Sequence, residues 1–190
     1  INEDIQNISK KTGAGGFLRK YGVLTACILA ALIYFQTVFF DLTNLDDIVI
    51  RTNHKELADF STIGDVVSGS YLGTGYYRPA VTVSLMIDAQ IGGKDPAVYH
   101  LSNVIFHILS VLGIYLMLRE MKSGAGRSLA GAMIYAVHPV FTNAVTWILG
   151  RNDLLAGMFT FFSIFLFLKY IHEKKPVFLI LHIFGLIFAL

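Results

Sequence analysis

Residues 21–40 (YGVLTACILAALIYFQTVFF) contain no charged side chain. A helix of about twenty apolar residues is long enough to cross the hydrocarbon layer of a bilayer. Further apolar runs follow at 96–118, 129–148, 154–170 and 177–190. With 55% hydrophobic and 15% charged residues, the chain falls in the membrane class. The first run is too long, and lacks a small-residue cleavage site, for a cleaved signal peptide. A net charge of +2 without a basic stripe gives no nucleic-acid partner. The lone Cys27 lies inside the first run and supplies neither a disulfide nor a metal framework. The expected fold class is all-α: polytopic membrane helices, with a long first loop outside the membrane.

Residues 1–20 are polar, with Lys10, Lys11, Arg19 and Lys20 and a glycine-rich patch, and read as a cytoplasmic leader. The chain opens on Ile1 and stops at Leu190 inside an apolar run, as expected of part of a longer protein. The loop 41–95 contains helix signals. Thr62 followed by Asp65 resembles a capping box and predicts a short helix over 63–68. Pro79 suits the first position of a second helix. Residues 80–91 are apolar but interrupted by Thr82, Ser84, Asp88 and Gln90, as for a helix lying in the interface. Asp95-Pro96 is a strong start for the helix over 96–118. The run 129–148 is interrupted by His138-Pro139, where proline removes a backbone donor and can kink the helix.

Loop charges set an orientation. Arg119, Lys122, Arg127, Lys169, Lys174 and Lys175 join the leader's cations on one side. The other side has fewer cations spread over many more residues. Positive-inside bias puts the N-terminus in the cytoplasm, and the loop 41–95 and the turn at Arg151 on the outer face, toward periplasm or ER lumen.

The chemistry-bearing residues gather on that outer side. Asp46 and Asp47 either cap a juxtamembrane helix or act as a general base, a carboxylate beside another being easier to protonate. His100, Asn103 and His107 share one face of a helix. They serve helix–helix hydrogen bonding, substrate contact or, less readily, a divalent metal, for which no tight ligand set is visible. His138 and Asn143 lie near the outer end of the third span, His138 as a core histidine or a ligand contact. Arg151 either pairs with Asp153 or with Asp46/Asp47, or binds a phosphate through parallel hydrogen bonds. Arg78 has the same two readings, and Tyr77 stacks on a sugar ring or sits in the interface. Taken together, the residues suggest a site for an anionic, phosphate-bearing ligand.

The order of motifs is an acidic pair after the first span, Tyr77-Arg78-Pro79, Tyr99-His100-Leu101-Ser102-Asn103 through His107, His138-Pro139, and Trp147-Ile148-Leu149-Gly150-Arg151-Asn152-Asp153. It resembles the N-terminal membrane region of the transmembrane-and-tetratricopeptide-repeat O-mannosyltransferases and their bacterial relatives, members of the GT-C superfamily. The resemblance covers about residues 39–176. It implies a multi-spanning enzyme, further membrane helices, tetratricopeptide repeats and a polyprenyl-phosphate sugar donor. Asp46 would be the base, with Asp47 as its neighbour and fallback. Transfer would be inverting, to a hydroxyl of an acceptor protein or glycan. Arg151, with Arg78, would steady the leaving phosphate. One departure stands out: relatives often carry a histidine and a glutamate after the His-Pro, where this chain has Phe141 and Asn143. The alternative reading is therefore a non-catalytic subunit of a larger complex, or a lipid-phosphate-binding scaffold.

Overall fold

The computed structural model describes residues 14–43, Asp47, Ile50, 57–69 and 77–189. Among them there are helices and no strands. Helix α1, Ala14–Tyr34, continues as a 3-10 turn to Phe39, and Phe40 is extended. The short helix α2, Ile63–Ser68, falls where the Thr62/Asp65 pattern places it. The cap differs from the expected one: Thr62 makes no side-chain cap bond, and Asp59 instead accepts from Ser61 N at 2.9 Å to start the preceding 3-10 turn. Those hydrogen bonds from Ser61 hold the exposed Asp59 carboxyl below its ordinary range.

Helix α3, Pro79–Gly92, has proline at its first position and ends at Gly93, whose φ of 60° is left-handed. A Cβ at Gly92 would overlap Val98, so glycine lets the chain turn tightly into the next helix. That helix, α4, is Pro96–Glu120, opened by Asp95 accepting from Ala97 N at 3.0 Å. Its 25 residues span about 37 Å at 1.5 Å per residue, more than the hydrocarbon layer.

Helix α5, Ala125–Val137, is only 13 residues long. The proline does not kink a continuous helix over 129–148; it breaks it. His138 is pushed to extended backbone, as the residue before a proline is. A 3-10 turn Pro139–Phe141, the short helix α6 (Thr142–Thr146) and a second 3-10 turn Ile148–Gly150 follow. Then come α7, Arg151–Glu173, and α8, Pro176–Ala189, separated by Lys174 in the left-handed region. Three segments are long and apolar enough to cross a membrane: Tyr21–Phe39, Pro96–Glu120 and Ile148–Glu173.

Helix α4 is the central post, touching α1, α3, α5 and α7. One apolar cluster joins α1, α4 and α5, where Ala26 and Ala30 meet Ala132 and Ala136. Small residues four apart let backbones approach closely without a hydrophobic drive. A second cluster unites Leu42, Ile50 and Leu57 with Val81, Leu85, Met86 and Ala89 of α3, Tyr99 of α4, and Leu155 and Met158 of α7. Helix α3 is packed on the bundle, with Val81, Leu85, Met86 and Ala89 buried. The connectivity brings the C-terminal ends of α1 and α5 together with the N-terminal ends of α4 and α7.

Candidate functional site

That shared end holds most of the expected residues. Just past α1, the chain folds back on itself. Thr43 donates to Asp47 Oδ2 through its backbone N (3.1 Å) and its hydroxyl (2.7 Å). Asp47 is fully buried, and among the described residues its Oδ1 has no hydrogen-bond partner. Phe40, Asp41 and Asp47 lie near His100 of α4, the Phe40 ring meeting the imidazole edge-on at 6.1 Å. His100 is buried, and neither ring nitrogen has a well-formed hydrogen bond to a described residue. Asp46, the expected base, lies outside the described residues.

Beside this segment, Arg151 sits at the first position of α7 with no exposed surface. Its Nη2 is 2.6 Å from Asp88 Oδ2 of α3, an ion pair close in distance but poorly aligned as a hydrogen bond. Its other donors go to Asn103 Oδ1 (3.1 Å), Ser84 Oγ (3.1 Å) and the Tyr99 carbonyl (3.0 Å), and its plane lies 5.7 Å from the Phe106 ring. Ser102 donates to Asp88 Oδ1 at 2.6 Å. Asn103 Nδ2 donates to the carbonyls of Trp147 (3.0 Å) and Ile148 (3.2 Å), fixing the turn that delivers Arg151. In this structure the Arg151 guanidinium is engaged by side chains and backbone of α3 and α4. The partner is not Asp153, which is exposed and receives Asn152 Nδ2 at 3.3 Å. Residues two apart in a helix point to different faces. Asp88 and Ser84 were missed as site residues. Their signal was present, as two polar residues four apart on one face of an apolar helix.

The remaining residues spread out from this core. His107, a turn deeper, donates Nε2–H to the Ala136 carbonyl at 3.2 Å, with Tyr34 and Tyr135 against its ring. It joins α1, α4 and α5. His138 is exposed and its Nδ1 accepts from Val140 N at 3.2 Å, capping the 3-10 turn. It borders an apolar groove of about 250 Å³ with Ile114, Tyr135 and Phe141. Asn143 is exposed on α6. Tyr77 is 59% exposed and its hydroxyl donates to the Val67 carbonyl at 2.7 Å, tying α2 to the start of α3. Arg78 is half-buried and N-terminal to α3. The structure thus brings Asp47, His100, Asn103 and Arg151 together and leaves Tyr77, His138, Asn143 and Asp153 at the rim. No group of three His, Cys, Asp or Glu side chains suited to a metal ion occurs among the described residues.

An all-α chain whose long apolar helices bury a charged cluster at one end is a helical membrane protein, and one with a polar site rather than a plain anchor. Residues 79–190 match the dolichyl-phosphate-mannose-protein mannosyltransferase family, and the chain belongs to it. Among its relatives is protein O-mannosyl-transferase tmtc2 of Xenopus laevis, 31% identical over 156 residues, 77% of this chain and 18% of that protein. Protein O-mannosyl-transferase TMTC3 of Homo sapiens is 29% identical over 164 residues, 82% of this chain and 17% of that protein. Human protein O-mannosyl-transferase TMTC2 is 30% identical over 158 residues, 77% of this chain and 18% of that protein. The chain spans under a fifth of the length of these curated relatives. No solved structure matches it. The resemblance to GT-C glycosyltransferases therefore stands.

Proposed function

We propose that this chain forms the acidic-site portion of an inverting glycosyltransferase. It would move a sugar from a polyprenyl-phosphate-linked donor to an acceptor hydroxyl at the outer membrane face. The family is named for dolichyl-phosphate mannose, a donor of that chemical class, and the relatives for transfer to protein hydroxyls. The observation that carries the reading is the buried Asp47, locked to Thr43 beside His100, directly after the first long apolar helix. Burial suits Asp47 to hold the segment, which assigns the proton-accepting role to its sequence neighbour Asp46. The acceptor oxygen attacks the anomeric carbon as Asp46 takes the hydroxyl proton. The bond from that carbon to the phosphate oxygen breaks on the opposite side, and the lipid phosphate leaves with the electron pair. Arg78, at the start of α3, is the cation assigned to that phosphate.

The test is transfer of labelled mannose from dolichyl-phosphate mannose to acceptor protein by the full-length protein in liposomes. Asp46→Asn is expected to insert normally and to lose about a hundredfold or more in rate, the scale of a general base. Full activity in that variant sinks the assignment. A second reading is favoured by the closed Arg151–Asp88 cluster together with Asn143: a scaffold subunit that keeps the fold without the chemistry. It expects tolerance of Asp46→Asn and stable co-purification with partner subunits.

A further inference from the structure

We propose that Asp88 and Arg151 act as a positioning pair. They fix helix α3 in one register on the bundle, and α3 packs against Leu42 and Ile50, which flank Asp46 and Asp47 in sequence. The kinetic consequence rests on the transferase reading; the structural consequence does not.

The chain of contacts is short. Leu42 and Ile50 bracket the acidic pair in sequence, and both are buried in the cluster that contains Val81, Leu85, Met86 and Ala89 of α3. Gln90 of α3 also donates to the Ala58 carbonyl. Helix α3 thus contacts Leu42 and Ile50, one on either side of the acidic pair in sequence. Next to its apolar stripe run Ser84 and Asp88, and both end on Arg151. Arg151 is in turn fixed by Asn103 and the Tyr99 carbonyl of α4.

A buried ion pair is a poor source of stability, because desolvation of both charges offsets their attraction. An apolar pair would pack α3 about as firmly. What the charges add is direction. A contact of valine, leucine and methionine tolerates sliding, whereas a planar guanidinium with fixed donors accepts one placement of Asp88 and Ser84. Precise placement matters most to a general base, where a shift of about 1 Å can cost a hundredfold in rate.

The experiment uses the full-length protein with three changes: Asp88→Asn, Asp88→Glu, and Asp88→Leu combined with Arg151→Met. The readouts are thermal unfolding, kcat and donor KM for mannose transfer, and the rate of trypsin cleavage after Arg51 and Lys55. Asp88→Asn removes the carboxylate charge that faces the guanidinium and is expected to lose stability and rate together. The double apolar variant orphans Asn103 Oδ1 and the Ser102 hydroxyl but leaves no unpaired charge, so it is expected to unfold somewhat below the parent and above Asp88→Asn, and to turn over about ten- to a hundredfold more slowly. Its donor KM should stay within about twofold, because ground-state binding is untouched. Trypsin should cut its 51–55 stretch several-fold faster than the parent's. Asp88→Glu keeps the charge but displaces it by one methylene, and should show the same pattern more weakly in a fully folded protein. Parental kcat and cleavage in the double variant overturn the proposal. So do parental values in Asp88→Glu if the double variant does not fold. Should the parent itself transfer no mannose, the transferase reading fails by itself. Cleavage then decides the present inference: unchanged rates overturn it, and faster cleavage sustains the structural link.

Discussion

Asn103 shows how much one polar side chain can determine at a membrane-protein core. Its amide oxygen accepts from Arg151 Nε while its amide nitrogen serves two carbonyls of the Trp147–Gly150 turn. Both ends of the amide are therefore used, and nothing of similar shape offers a donor and an acceptor at once. Gly150 reinforces the constraint, since a Cβ there would come within 2.8 Å of the Ala144 carbonyl oxygen. Asn103→Leu would strand the Arg151 Nε–H in a buried site and take one hydrogen bond each from the Trp147 and Ile148 carbonyls, which keep Gly150 N and Arg151 N. We expect a loss of roughly 2–4 kcal/mol, the orphaned donor costing on the order of 1–3 and each lost bond on the order of 0.5–1. Thermal unfolding in detergent measures it, and a midpoint equal to the parent's would contradict the hydrogen-bond account. Asn143→Ala, on an exposed face, is the control and should shift stability by under about 0.5 kcal/mol.

At the scale of elements, the contact between α1 and α5 is made by small residues. Ala26, Ala30, Ala132 and Ala136 are all fully buried, and the helices close on them. Ala132→Leu inserts three carbons where there is no void and should cost about 1–3 kcal/mol. Ile134→Ala, at a position 62% exposed, should cost far less; equal effects would mean that the two helices do not pack through their alanines. Alanine spacing of this kind can be read from a sequence, and so could the helices themselves. Pro79, Asp95-Pro96 and Pro176 mark starts, and Gly92-Gly93 marks an end, because their backbone demands are local. Partner choice was not legible in the same way. Arg151 and Asp88 are far apart in the chain, and a sequence shows that a buried arginine needs an anion without showing which one. The break at His138-Pro139 was half legible: the proline announces an interruption, but whether the helix resumes depends on what Ala144, Val145 and Ile148 can bury against. Here they find α1, α4 and α7, and the chain turns inward instead of continuing as a helix.

Over the whole molecule, charge is sorted by end. The end where α4 and α7 finish carries Arg119, Lys122, Arg127, Lys169, Lys174 and Lys175 against Glu120 and Glu173. There Glu120 and His172 join the two helices at 2.7 Å. Among the described residues, the opposite end carries Asp41, Asp47, Asp59, Asp65, Asp88, Asp95 and Asp153 against Arg78, Lys94 and Arg151. Cations concentrated at one end are what positive-inside insertion selects, and on that rule the acidic end would face away from the cytoplasm. The orientation can be tested without any assay of activity, on a background in which Cys27, the one cysteine of these 190 residues, and any cysteine outside them are replaced by serine. In that background, Lys94→Cys and Lys122→Cys place one thiol in the α3–α4 connection and one in the α4–α5 connection. In intact cells or right-side-out vesicles, a membrane-impermeant maleimide should label Lys94→Cys directly, and Lys122→Cys only after permeabilisation. Labelling of Lys122→Cys alone would invert the molecule and put Asp46, Asp47 and His100 on the cytoplasmic side. Labelling of both before permeabilisation would mean that α4 does not cross, and the long helix at the centre of the bundle would need another explanation for its apolar surface.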